Sequence, residues 1–144
     1  MEGKKTLGYE IAEQLGWRLP DVIVYETGGG TGLIGMWKAF NELKLLGKVS
    51  GKLPRMVAAQ STGCAPVVKA FQRRENKTEF WENSETVALG LNVPGPIGGY
   101  WILRILYESN GIAVDVPESD LQNLTDEFNS ITRINAGPEA GVVW

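Results

Sequence analysis

The sequence has no histidine and only one cysteine, Cys64. Without histidine it lacks the commonest metal ligand and the usual general base near neutral pH, so metal chemistry and a serine or cysteine triad are not expected. A lone cysteine cannot close an internal disulfide, and no apolar run approaches the ~18 residues of a membrane span. No signal-peptide pattern is present, so a cytoplasmic protein with no membrane partner is expected. A concentrated positive field is missing as well. The 14 basic residues are scattered through a chain of net charge −3, which argues against nucleic acid as a partner. The 144 residues are 43% apolar and 22% charged, enough for one compact domain that buries roughly two thirds of its unfolded surface.

Glycine is what the sequence has in a telling place. The run Thr27-Gly28-Gly29-Gly30-Thr31-Gly32 separates an apolar stretch, Asp21 to Tyr25, from an amphipathic one, Leu33 to Leu46. Such a loop lets the backbone adopt positive φ and approach an anion without Cβ clashes, and the helix that follows adds unsatisfied N–H groups and a positive dipole end. Gly30-Thr31-Gly32-Leu33-Ile34-Gly35 fits the G-x-G-x-x-G spelling, yet no complete Walker A pattern is present and no lysine directly follows the loop, which argues against ATP or GTP. The pattern alone leaves two readings, a phosphate site and a merely structural strand-to-helix turn.

Around the loop, the periodicity predicts an alternating α/β order. Leu7, Ile11 and Leu15 space a first helix that ends near Gly16. Leu19 to Tyr25, with Val22, Ile23 and Val24, reads as a strand buried on both faces of a parallel sheet. Leu33 to Leu46 is the crossover helix, with Gly47 as its cap. Arg55 to Gln60 is a second strand and Ala65 to Phe71 the next helix. Gln72 to Glu85 is a polar surface excursion, and Gly90 to Pro96 is too rich in Gly and Pro for regular structure. Ile97 to Ser109 resumes helical spacing and Gly111 is its expected cap. Ile112 to Val116 is a short strand, and Pro117-Glu118-Ser119-Asp120 opens another helix. Trp37 and Trp101, at helical spacing, are expected in the core, and Cys64 reads as a buried structural thiol. The fold class is α/β, a three-layer, mostly parallel sheet with flanking helices.

Several segments taken in order resemble the threonine synthases, a branch of the fold-type II pyridoxal-phosphate enzymes. They are Glu2-Gly3-Lys4-Lys5-Thr6-Leu7-Gly8-Tyr9-Glu10; Leu19-Pro20-Asp21 with Thr27 to Gly32; Pro54-Arg55-Met56-Val57 followed by Gly63-Cys64-Ala65-Pro66; and Gly90-Leu91 with Val93-Pro94. The resemblance runs from residue 2 to about residue 124. It implies a partial large domain over 1–130 and a divergent tail over 131–144, with pyridoxal phosphate as the cofactor. Its phosphate would be held by the amides of Thr27, Gly28, Gly29, Gly30, Thr31 and Gly32, and Gly90 would pass beside the pyridine ring.

The departures from the family pattern are specific. Its Schiff-base lysine and ring-contacting asparagine belong to a region upstream of Met1. Glu26 stands where a proline is usual, placing a carboxylate near an anion site. Beyond Leu124 the match fades, although Gly137-Pro138-Glu139-Ala140-Gly141 is similar to the family's Pro-Glu-Gly-Ala-Ala segment. The resemblance therefore implies a fragment or truncated homologue of threonine synthase that keeps the phosphate loop but is not catalytic alone. It would work as a homo-oligomer or with a complementing chain. The alternative is a non-catalytic protein that binds a phosphate-bearing small molecule or serves as an oligomerising interaction module.

Overall fold

The structure, a computed structural model, describes all residues from Met1 to Trp144. Apolar runs in the sequence become three parallel strands in spatial order β1 (Val22–Glu26), β2 (Arg55–Ser61) and β3 (Ile112–Val116). Val24 pairs with Val57, and Val57 in turn with Ile112, which fixes the register across the sheet. Side chains alternate between faces along each strand. Met56, Ala58 and Ala113 therefore point into the main core, with Ile23 and Tyr25 packed at its edge, while Ala59, Val114 and Val116 serve a smaller core on the opposite face.

The main core lies beneath α2 (Thr31–Leu45), α3 (Pro66–Gln72) and α4 (Gly99–Glu108), with α1 (Lys5–Gln14) packed on α2. The apolar stripe of α2 contributes Leu33, Ile34, Met36 and Phe40, and that of α4 contributes Ile102, Leu103, Ile105 and Leu106. The other face is covered by α5 (Leu121–Thr132) and α6 (Pro138–Val143). The result is a three-layer α/β arrangement with a parallel sheet in the middle. Residues 131–144 pack onto it: α5 runs through Thr132, and Val142 of α6 is buried against Ala59, Leu91 and Leu121.

Four local expectations are corrected. The first strand is not buried on both faces. It sits at the sheet edge, α6 is only six residues long, and Val22 and Val24 remain 43% and 46% exposed. Leu89–Leu91 forms a short 3-10 turn inside the segment expected to be irregular. The left-handed cap after α4 is Asn110 (φ 51°). Gly111 is required instead because a Cβ there would run into the Met56 carbonyl. Trp101 is half exposed rather than core. Of the expected polar excursion from Gln72 to Glu85, Gln72 closes α3 and the rest carries no helix or strand.

Leu103 is fully buried in the main core between α4 and the sheet. Leu103→Ala should lower unfolding stability by about 2–5 kcal/mol, measured by urea denaturation, because the surrounding layers cannot close the cavity it leaves.

Candidate functional site

Where β1 ends, the backbone changes partners. The Thr27 N–H still donates to the Ala59 carbonyl (2.8 Å), and the Thr27 hydroxyl turns back onto the Tyr25 carbonyl (2.8 Å). Thr27 is therefore fully buried with its amide committed to β2, and it does not line the cavity described below. Three glycines follow, the last with φ 79°, and α2 begins at Thr31. In the helix the first amide with an internal acceptor is that of Ile34, on the Gly30 carbonyl (2.9 Å). The six N–H groups from Gly28 to Leu33 find no acceptor in the protein. A helix start leaves orphan donors of this kind and adds about half a positive charge.

These amides border a cavity of about 250 Å³ lined by Tyr25, Glu26, Gly28 to Gly32, Gly90, Leu91 and Glu139. Three glycines are dictated by crowding: a Cβ at Gly32 would overlap the Tyr25 hydroxyl, one at Gly30 would overlap Ile102, and one at Gly28 would run into the Gly90 carbonyl. Gly29, by contrast, faces open space. On the far side the Gly90 N–H donates to Glu139 Oε1 (2.8 Å), and the Gly90 carbonyl lies against Gly28. Of the residues nominated from sequence, Gly28, Gly29, Gly30, Thr31, Gly32 and Gly90 come together here.

The cavity also holds residues that sequence reasoning did not nominate as ligand contacts. Glu26 points to the α6 side of the sheet and meets Glu139, so two carboxylates share the cavity with the free amides. Burial, with the Glu139 charge adding to it, pushes the Glu26 carboxyl above its ordinary 4.5. Burial and the neighbouring Glu26 also push the Tyr25 hydroxyl up. Glu139 was legible only as part of Gly137-Pro138-Glu139, and nothing local tied it to Gly90, which lies 49 residues earlier.

A larger cavity, about 660 Å³, lies between α2 and α4 and is bordered by Trp37, Trp101 and Ile105. Its charges are engaged in ion pairs, Lys38 with Glu2, Arg104 with Glu108 and Glu42 with Lys5, and it lacks the free amides of the loop. Cys64 is buried, and that burial pushes its thiol up, as befits a packing residue.

A half-buried carboxyl whose pKa is raised in the folded state lowers stability as pH climbs through the window above its ordinary value. Glu26→Gln should therefore be more stable than the wild type at pH 7 in thermal unfolding. The difference should close below about pH 4, where the wild-type carboxyl is neutral in both states. The same substitution should tighten inorganic phosphate binding, since it removes a like charge.

Comparison with known proteins bears on what this cavity holds. The sequence profile of the family described as "Pyridoxal-phosphate dependent enzyme" matches residues 1–144. The threonine synthase of Methanosarcina acetivorans is 36% identical over 138 residues, which are 96% of this chain and 34% of that protein. That of Methanocaldococcus jannaschii is 31% identical over 121 residues, 84% of this chain and 30% of that protein. The chain thus spans about a third of the length of these relatives. Among solved structures, an L-serine ammonia-lyase from Rhizomucor miehei superposes with a TM-score of 0.80 at 18% identity, covering 99% of this chain and 42% of its own. Threonine synthase from Escherichia coli gives 0.70 at 14% identity, covering 97% and 32%. At such low identity these two likenesses speak for the fold alone. With its whole length matched and its sheet and helices shared, the chain belongs to the pyridoxal-phosphate dependent enzyme family.

Proposed function

We propose that this chain is the phosphate-gripping portion of a threonine-synthase-like protein, binding pyridoxal phosphate through its phosphate group and not turning over substrate by itself. The observation that carries this reading is the run of six unpaired amides from Gly28 to Leu33 at the start of α2. A phosphate fits that run: its oxygens accept from several N–H groups at once, and glycine leaves the approach clear at Gly29. Gly28, Gly29, Gly30, Thr31 and Gly32 would hold the phosphate, and Gly90 and Leu91 would border the ring. When bound, the cofactor supplies an electron sink for carbanion chemistry at an amino acid. The chain's own residues bind and orient it. The Glu26 and Glu139 carboxylates face the same space and weaken the grip on a dianion.

The cavity offers no covalent anchor, because none of the ten residues lining it is a lysine. In this reading the lysine comes from outside these 144 residues, and the assembled protein acts on O-phosphohomoserine in the cytoplasm. No helix of this chain is long and apolar enough to cross a membrane.

Titrating the purified chain with pyridoxal phosphate should shift the cofactor's absorbance, with inorganic phosphate competing. Gly29→Asp places a charge in open space inside the cradle and should weaken binding about tenfold or more. No phosphate should be released from O-phosphohomoserine by the chain alone. Steady release would overturn the non-catalytic reading, and an unchanged spectrum would overturn cofactor binding.

A second reading, an oligomerising interaction protein, is favoured by one observation: the edge strand β1 leaves Val22 and Val24 bare on one face. Sedimentation at tens of micromolar, a range suited to weak association, should show self-association, and Val24→Lys should abolish it. A clean monomer in the wild type would remove this reading.

A further inference from the structure

Gln60 is a long polar side chain with no exposed surface, near the carboxyl end of the central strand and on the side of the main core. Polar groups are buried at a cost unless each is satisfied, and here all the relevant ones are. Gln60 Oε1 accepts from the amides of Val67 (2.9 Å) and Val68 (3.2 Å), two orphan donors at the start of α3. Gln60 Nε2 donates to the Thr27 carbonyl (2.8 Å). One amide group therefore ties the first turn of α3 to the peptide bond that opens the glycine loop.

That bond has a directional consequence. The chain contains no cis peptide, and in a trans peptide C=O and N–H point to opposite sides. With its carbonyl held toward Gln60 in the core, the Thr27–Gly28 peptide must aim the Gly28 N–H away from the core, and Gly28 lines the cavity. Nothing in the backbone ladder secures that orientation, because the last bond between the two strand ends is Thr27 N–H to Ala59. A peptide followed by glycine flips at little steric cost, and a flip here would turn a carbonyl toward a bound anion. We infer that Gln60 is a positioning residue of the anion site, locking the Thr27–Gly28 peptide so that the Gly28 amide joins the cradle. This rests on the reading of the loop as a phosphate site and adds a residue that never touches the ligand.

The variant Gln60→Glu separates the two halves of the side chain's role. Its carboxylate still accepts from Val67 and Val68, so the cap on α3 is kept, but it has no proton to give Thr27. Inorganic sulfate is the probe, because its charge does not titrate in the range used. Isothermal titration at pH 8 should show sulfate affinity of the folded variant about tenfold or more below wild type. As pH is lowered the buried carboxyl takes up a proton and can again donate to Thr27, so the ratio of variant to wild-type affinity should climb back toward one. The ratio is needed because Glu26, Glu139 and Tyr25 face the same cavity in both proteins. A merely structural role would lower the melting temperature and leave affinity per folded molecule unchanged at every pH, which would overturn the inference.

Amide NMR of the wild type gives a test that does not depend on the variant folding. On sulfate titration the Gly28 cross-peak should move together with those of Gly29 to Leu33. Shifts confined to Gly29–Leu33, with Gly28 still, would overturn the role of Gln60. No shift at any loop amide would overturn the anion reading itself, and the inference with it.

Discussion

Six consecutive backbone amides without a protein acceptor are the constraint around which the rest of this molecule is arranged. A donor buried without a partner costs about 1–3 kcal/mol, so a fold leaves such a run only where water or a ligand can take the bonds. The geometry that produces it is simple. A parallel strand ends, its last amide goes to the neighbouring strand, and the next helix starts before any carbonyl has become available one turn back. Everything nearby serves to keep that mouth open: the left-handed Gly30, the bare Gly32 beneath the Tyr25 hydroxyl, and the Gly90 turn facing them.

The two faces of the sheet are built unequally. Four helices cover one side and fill it with large aliphatic side chains, while α5 and the short α6 cover part of the other. Glu26 lies on that second side, which is why it meets Glu139. Electrostatically the cavity is divided: a positive helix end and free amides on one wall, two carboxylates on another. A phosphate group that enters gains several hydrogen bonds and pays a repulsion that depends on the protonation of Glu26, whose pKa burial has already raised.

How much of this the sequence announced follows from how local each cause is. Loop and helix were legible because glycine spacing and the Leu33, Ile34, Trp37, Phe40 stripe act over a few residues. The parallel sense of the strands followed from the α/β rhythm. The exposure of Val22 and Val24 was not legible, since a run of β-branched residues reads alike at an edge and in a centre, and only the length of α6 decides it. The caps at residues 110 and 111 were exchanged because Asn adopts the left-handed region readily, leaving glycine for a contact with Met56 that lies 55 positions away in the chain. Gln60 merely closed the strand read from sequence, and its role was not legible because its partners, Thr27 and the start of α3, are set by tertiary packing. Glu139 depended on a contact across 49 residues.

The Gly90 to Glu139 hydrogen bond also dates the cavity within the order of assembly. The amide run is short-range and can take shape as soon as β1, α2 and β2 have paired, whereas the wall formed by Glu139 awaits the docking of α6 near the chain's last residues. Because distant pairings must first meet the entropy of closing the intervening chain, the Glu139 wall is expected to close after the amide run. During vectorial synthesis the nascent protein would thus offer an anion its donors well before it presents the opposing carboxylate from the tail.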